Sequence, residues 1–193
     1  DTYIMPIPER AVFESGYENE KEKYSDFIEK LEASFSDPSV VLNPLSELEK
    51  HQYEYIYFRT ENNWTMRGAF YGAQVIFREL GYEEDNLDAY RKYAFGTFEG
   101  DLLLAASEKY TSDETKKDIK NMEQEPFYIY INGSNPNFEE LTFENKEGQM
   151  QTLNRHMIQL DTSGSHAVIG SDYEHSIVEG RGKGQRKGNL LLI

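Results

Sequence analysis

Helix-like patterning gives way to strand-like patterning at Phe127-Tyr128-Ile129-Tyr130-Ile131. Two tyrosines alternate there with apolar side chains, and a period of two is typical of a β-strand that packs one face on a core. The next residues, Asn132-Gly133-Ser134-Asn135-Pro136, are turn formers and predict a loop. From this point to the C-terminus the sequence therefore predicts short strands joined by turns.

Five more segments of the C-terminal third show the short alternating pattern of strands. They are residues 138–144, 155–160, 166–169, 173–178 and 189–193. Because these strands follow one another with only turns between them, we expect an antiparallel meander.

The first two thirds of the chain show mainly helical periodicity. Helices are predicted for residues 18–35, 44–50, 71–80, 85–93 and 111–122. One strand is predicted among them, at residues 51–59, where tyrosines occupy every second position. The whole chain, 1–193, is thus predicted to be a single α+β domain, with N-terminal helices packed on a mainly C-terminal antiparallel sheet.

Composition excludes several classes of function. The 193 residues include 35 acidic and 20 basic side chains, a formal net charge of −15, and no cysteine. A surface with this negative charge disfavours binding to nucleic acid or anionic lipid and favours a basic partner. The lack of cysteine excludes disulfides and thiolate metal sites. No apolar run approaches the roughly 20 residues of a bilayer span, so we expect no direct membrane insertion by this chain.

No motif indicates catalysis. In the expected strand register His156 and His166 lie roughly 13 Å apart and His175 falls on the opposite face, so no metal site is predicted. The segment Asp161-Thr162-Ser163-Gly164-Ser165 lacks the Asp-Thr-Gly spacing of aspartic proteases, and residues 180–188 match neither phosphate-binding glycine motif. We therefore expect a protein that is not an enzyme and has no cofactor. Asn63-Trp64-Thr65 fits only the short glycosylation pattern.

The tyrosines are the best candidates for a partner-binding surface. Alternation places Tyr53, Tyr55 and Tyr57 on one face of a predicted strand, and Tyr128 and Tyr130 on one face of another. Tyrosine supplies a large rigid contact area with a polar tip, and nearby acidic residues would attract a basic partner. The predicted partner-binding residues are Tyr53, Tyr55, Tyr57, Tyr128, Tyr130, Glu139 and Glu140. The alternative is that these tyrosines only flank a two-sided core.

In overall profile the chain resembles the TipC-type immunity proteins of streptococci and their relatives, which act against LXG-type secreted toxins. The resemblance lies in the amphipathic first helix, Asn43-Pro44-Leu45, the Tyr-rich strand and the C-terminal strands. It implies a non-enzymatic inhibitor that binds a cognate, lipid II-degrading protein toxin. The alternatives are an exported lipoprotein-like domain that binds a small ligand or cell-wall component, and a carboxylate-dependent hydrolase.

The resemblance also implies a location outside the cell membrane of a Gram-positive bacterium. The sequence starts at Asp1 and not at methionine, so we expect that an N-terminal signal or anchor segment was removed. The lack of cysteine fits an extracytoplasmic protein, and a cytoplasmic location is the alternative.

Overall fold

The computed structural model describes residues 2–98, 100, 102, 125–131, 138–144, 150–154 and 175–180. Its α-helices are α1 (Glu18–Ala33), α2 (Leu45–Lys50) and α3 (Met66–Glu79), and short 3₁₀ turns occupy Arg10–Phe13, Pro38–Val40 and Leu87–Ala89. Its strands are β1 (Arg91–Phe98), β2 (Glu125–Ile131), β3 (Phe138–Glu144), β4 (Met150–Asn154) and β5 (His175–Gly180). The α+β fold class is confirmed.

The strands form two antiparallel sheets. In the first, β1 pairs with β2, and Lys92 lies opposite Tyr130 in a register that is interrupted by a bulge between Ala94 and Gly96. In the second, the order is β4-β3-β5, so β3 is central and β5 pairs with β3. The predicted meander placed strands at residues 155–160 and 166–169 between β3 and the strand predicted at 173–178, and those two strands lie outside the described residues.

Three groups of buried side chains hold the helical part together. Tyr24 and Ile28 of α1 pack on Leu45, as the predicted apolar stripe requires. A second group consists of Leu48, Ile56 and Tyr57, with Trp64 and Tyr71 packed against it. The third joins Phe58 to Phe127 and Ile129 of β2, so the segment before α3 is fixed to the first sheet.

The predicted strand at residues 51–59 is wrong. Residues 51–55 form turns, with the Glu54 N–H donating to the His51 carbonyl at 2.9 Å. The only sheet-like pairing in this segment is an isolated bridge between Tyr57 and Trp64. The alternating tyrosines of this segment therefore do not belong to a hydrogen-bonded β-strand, and their side chains lie in different environments.

The predicted helix at 85–93 is also wrong, since a 3₁₀ turn leads directly into β1 there. Helix α3 begins at Met66, earlier than expected, because the Thr65 hydroxyl accepts a hydrogen bond from the Gly68 N–H at 3.3 Å and caps the helix. Its predicted end at Gly81 is confirmed, with a φ of 70° that suits glycine.

The predicted elements at 111–122, 155–160, 166–169 and 189–193 lie outside the described residues. The strands at 127–131 and 138–144 are confirmed as β2 and β3. In the described part of the chain, no helix has both the length and the apolar character needed to cross a membrane.

Candidate functional site

The predicted tyrosine surface is divided among different environments. Tyr53 is 96% exposed, Tyr57 is only 6% exposed, and Tyr55 is half-buried. Because these three side chains do not share a strand face, the predicted common surface is wrong. Tyr128 and Tyr130 do lie on one face of β2, where they alternate with the buried Phe127 and Ile129.

Tyr55 and Tyr57 make specific internal contacts. The Tyr57 hydroxyl donates to the Pro8 carbonyl at 2.5 Å, and the Tyr55 hydroxyl donates to Glu125 Oε1 at 2.6 Å. The Tyr55 ring also meets the edge of Tyr128, with 6.2 Å between centroids. Burial raises the pKa of both phenols well above its usual value of 10. These two residues therefore stabilise the fold, and their binding role stays a prediction.

Glu139 and Glu140 lie on β3, where Glu140 is opposite Asn154. Their side chains are outside the part of the structure that is described. Their proposed role as an acidic rim stays a prediction.

A buried carboxylate at the start of β2 fixes the segment before α3. The Glu125 side chain is 0% exposed. It accepts hydrogen bonds from the Arg59 N–H, from the Thr60 hydroxyl, and from the Thr60 N–H at 2.7 Å. Burial alone would raise the pKa of Glu125, but these donors and Tyr55 outweigh burial and hold that pKa below 4.5. We call this arrangement the Glu125 clamp.

The Glu125 clamp holds a turn formed by residues 58–65, which we call the Trp64 turn. The turn is closed by a hydrogen bond from the Phe58 N–H to the Asn63 carbonyl at 3.1 Å. Within it, Glu61 is 5% exposed and accepts a hydrogen bond from the Asn63 side-chain amide. A carboxylate and an amide two residues apart thus form a direct pair inside the turn.

Helix α3 is seated against this turn through glycine. A Cβ atom at Gly72 would lie 2.6 Å from the Trp64 ring, and one at Gly68 would lie 2.2 Å from the Ile56 carbonyl oxygen. Both distances are shorter than any real Cβ contact, so only glycine permits this approach. The indole is held between the turn and the helix as a result.

A pocket of about 240 Å³ opens beside the Trp64 turn. Its walls are aromatic, apolar or neutral polar, and are formed by Phe58, Asn63, Trp64, Thr65, Met66, Ala69 and Phe127. Among these described residues there is no acid or base. The pocket can therefore hold an apolar or neutral group, but its walls supply no side chain that gains or loses a proton near pH 7.

A larger cavity, of about 600 Å³, lies between α3 and the β1-β2 sheet, and we call it the Tyr71 cavity. Helix α3 contributes Arg67, Phe70, Tyr71 and Gln74, whose spacing of 3, 4 and 7 residues places them on one helix face. The sheet contributes the cross-strand pair Lys92 and Tyr130. Residues 84–88 and Tyr90 line another side.

Glu54 is the centre of a polar network in this cavity. It is hydrogen bonded to His51 Nδ1 at 2.7 Å, to the Tyr71 hydroxyl at 2.8 Å and to Arg67 Nη1 at 2.9 Å. Arg67 Nε also donates to the Tyr130 hydroxyl at 3.2 Å, so Tyr130 of the predicted surface is held here. The His51 ring stacks on Tyr71, with 3.5 Å between centroids.

The network shifts the titration of its members. Burial would raise the pKa of Glu54, but hydrogen bonds from His51 and Tyr71 lower it below 4.5. Burial, and then the hydrogen bond to Glu54, raise the pKa of Tyr71 to about 12. Near neutral pH the carboxylate is therefore charged and the phenol is protonated.

Within the described ranges, no three His, Asp or Glu side chains are placed to hold a metal ion. His175 lies on β5, whereas His156, His166, residues 161–165 and residues 181–188 fall outside those ranges.

Sequence reasoning missed the Glu125 clamp, the pair Glu61 and Asn63, and the Tyr71 cavity. The available signal for the clamp was a single glutamate directly before an apolar strand, and its partners are more than 60 residues away. The Trp64 turn was visible only as a glycosylation pattern. Neither arrangement has a local periodicity that could have revealed it.

Comparison with known proteins gives one family. The family model described as "DHHW protein" matches residues 42–151, which is more than half of the chain. No curated protein matches.

Solved structures share the fold. A DHHW family protein from Eubacterium siraeum matches with a TM-score of 0.71 at 22% identity, over 95% of this chain and 59% of that one. Bacillus cereus PatB1 matches with a TM-score of 0.63 at 16% identity, over 94% and 62%. The structure of Bacillus cereus PatB1 with a sulfonyl adduct matches with a TM-score of 0.61 at 15% identity, over 92% of this chain and 60% of that one.

The chain spans about six tenths of the length of these solved chains. The identities of 15–22% make this a likeness of fold. None of the three structures is described as an immunity protein or as the partner of a toxin.

Proposed function

Because this chain belongs to the DHHW protein family, we propose that it is a non-catalytic member of that family, which acts by binding a basic protein partner. The observation that carries the proposal is the pairing of Glu61 with the Asn63 amide in the Trp64 turn.

The family's four-letter name, taken as one-letter residue codes, spells Asp-His-His-Trp. The single tryptophan of this chain, Trp64, lies inside the matched range and ends the run Glu61-Asn62-Asn63-Trp64. If Trp64 is the tryptophan of the name, glutamate replaces aspartate and two asparagines replace two histidines.

Residues 58–65 contain no histidine, so the turn has no imidazole that could act as a general base. A carboxylate hydrogen bonded to a histidine orients the imidazole and stabilises its charged form, so the histidine can act as a general base. An asparagine amide does not titrate and cannot play that role. In this chain Asn63 still donates to Glu61, so the geometry of a carboxylate paired with a donor is kept without its acid–base chemistry.

The adjacent pocket supports the same proposal. Its described walls hold no titratable side chain, and Glu61, two residues before the wall residue Asn63, is buried and paired with it. A pocket of this composition binds a group without activating it.

The proposed partner is a basic protein because of charge. A formal charge of −15 produces a field that accelerates association with a cationic surface and repels acidic ones. The narrower form of the proposal is the hypothesis drawn from the sequence, that the chain is an extracytoplasmic immunity protein that neutralises a secreted toxin. Its support is the charge together with the proposed lack of catalysis.

Surface plasmon resonance tests the partner. The immunity form of the proposal expects a toxin gene beside the gene of this chain; its product is the ligand, and an acidic protein serves as control. We expect a complex at micromolar concentration or below with the toxin and none with the control. No complex with the toxin would overturn the immunity form of the proposal.

A second candidate function is a carboxylate- or nucleophile-dependent hydrolase, and one observation favours it. PatB1 carries a sulfonyl adduct in one of its structures. Sulfonyl groups attach to nucleophilic side chains, so that fold can hold an activated nucleophile. Covalent labelling of the present protein with a sulfonyl fluoride separates the nucleophile-dependent form of this candidate from a non-catalytic protein.

A further inference from the structure

We propose that the Tyr71 cavity binds a small organic cation, such as a quaternary or primary ammonium group. This site is separate from the Trp64 turn and does not depend on the absence of catalysis there. The cavity, of about 600 Å³, has the size of ordinary small-molecule sites.

Aromatic rings form a corner in this cavity. Phe70 meets Tyr71 at 77° and Tyr90 at 72°, with centroids 5.7 and 5.6 Å apart. Tyr130 is a further ring of the lining. All four side chains are half-buried. These are edge-to-face contacts between the rings themselves. His51 stacks on one face of Tyr71, and the Arg67 guanidinium lies 5.7 Å from the centroid of the Tyr130 ring, so Phe70 and Tyr90 are the rings proposed to attract an ammonium group by cation–π interaction.

Carboxylates outnumber cations in the lining. Five acidic residues line the cavity against two permanently charged cations, Arg67 and Lys92. Arg67 is paired with Glu54, while Glu47 and Glu84 are paired with Arg78. In the part of the chain that is described, Asp85 and Asp88 take part in no ion pair. Lys92 takes part in no ion pair in that part either and lies over the Tyr128 ring at 3.7 Å, so two carboxylates stand against one cation among the lining residues without an ion pair.

The acidic side is held in place from α3. Gln74 is 3% exposed and its Oε1 accepts a hydrogen bond from the Asp85 N–H at 2.9 Å. The Asp85 carboxylate accepts in turn from the Tyr90 hydroxyl. The carboxylate and the aromatic ring are thus positioned together before any ligand arrives, which lowers the entropic cost of binding.

Choline and its neutral isostere 3,3-dimethyl-1-butanol form the first test, by isothermal titration calorimetry on the whole chain. They share shape and differ in charge. We expect choline to bind at least about five-fold more tightly. Equal measurable affinities of the two ligands would overturn the proposal.

Variants of the cavity form the second test. Tyr90→Leu removes the ring and should weaken choline binding about five-fold, whereas Tyr90→Phe keeps the ring, loses only the hydrogen bond to Asp85 and should weaken binding less. Asp88→Asn should weaken binding, and Asp26→Asn on the exposed side of α1 should not. Circular dichroism verifies that each variant is folded. If folded Tyr90→Leu binds choline like wild type, the site assignment is wrong.

N-acetyl-lysine methylamide distinguishes the two sources of such a cation. Tighter binding of choline indicates a free organic ammonium compound. Tighter binding of the lysine amide indicates a basic side chain of a partner protein. Either result supports the cation class, and failure of both overturns it without affecting the proposal for the Trp64 turn.

Discussion

At the residue scale, Glu125 carries more of the local structure than any other carboxylate described. Its two oxygens accept from two backbone N–H groups and two hydroxyls, and its side chain is fully buried. A buried carboxylate is stable only when its oxygens are satisfied in this way. The position of Arg59 and Thr60, and with it the Trp64 turn, depends on this one side chain.

Glu125→Gln should lower the free energy of unfolding by at least about 2 kcal/mol, because an amide group would then face N–H donors. Urea denaturation followed by circular dichroism measures the change. Glu29→Gln, on an exposed site of α1, is the matched control and should change stability by less than about 0.5 kcal/mol. A Glu125→Gln variant as stable as the control would show that the clamp contributes nothing.

Stability should also fall in acid. The pKa values of Glu125, Glu54 and Glu47 are all lowered from 4.5 in the folded protein, since their hydrogen bonds outweigh burial. A lowered folded pKa contributes stability that is full above the unfolded pKa and is lost as pH falls through the folded value. Thermal midpoints should therefore drop below about pH 4.5, and the drop should be smaller in Glu125→Gln. Identical profiles would contradict this account.

At the element scale, the contact between α3 and the Trp64 turn is made possible by two glycines. Helix propensity alone would favour alanine at Gly72 by about 1 kcal/mol. The Trp64 ring, 2.6 Å from the position of a Cβ at Gly72, reverses that preference. Packing against Trp64, and not helix propensity, therefore accounts for the glycine at position 72.

Gly72→Ala should accordingly destabilise the wild type by about 1–3 kcal/mol. In a Trp64→Leu background the same substitution should be neutral or stabilising, because the ring that it meets is gone. Chemical denaturation of the four proteins in this cycle measures the coupling. Additive effects would mean that the indole does not restrict the helix.

Elements with one dominant local signal were predictable. The apolar stripe predicts helix α1, and alternation predicts strands β2 and β3. The end of helix α3 is predicted by Gly81, because glycine readily adopts the left-handed φ found there. Residues 51–59 alternate as well, but residues 51–55 form turns and Tyr57 makes only an isolated bridge to Trp64. The Tyr55 hydroxyl is hydrogen bonded to Glu125, and the Tyr57 hydroxyl to the Pro8 carbonyl. Contacts of such sequence separation cannot be derived from a local pattern.

The candidate site was predictable only in part. Tyr130 was correctly placed on β2, yet its partner Arg67 lies 63 residues away on α3. The Tyr71 cavity forms where a helix face, a strand pair and residues 84–90 meet. No single stretch of sequence contains that arrangement, so composition could indicate a basic partner but not this location.

At the scale of the whole molecule, we expect charge to set how fast the proposed partner associates and local packing to set how fast it dissociates. With a net charge of −15, the protein should attract a basic partner over distances beyond contact. The Debye length is about 8 Å at 0.15 M salt, so this attraction weakens as ionic strength rises. The two rate constants of binding should therefore respond differently to salt.

We expect the association rate with the toxin to fall several-fold between low and high salt, and the dissociation rate to change little. Surface plasmon resonance at two ionic strengths measures both constants. If salt leaves the association rate unchanged, charge does not guide the encounter, and the basic-partner proposal loses its main support.

The central claim, that this DHHW family member is non-catalytic, is tested most directly by covalent labelling. The protein is incubated with a sulfonyl fluoride, and its intact mass is measured over time beside PatB1. The account predicts stoichiometric labelling of PatB1 and no addition to the present protein beyond that of its heat-denatured form. One sulfonyl group per chain, added only to the folded protein, would contradict it.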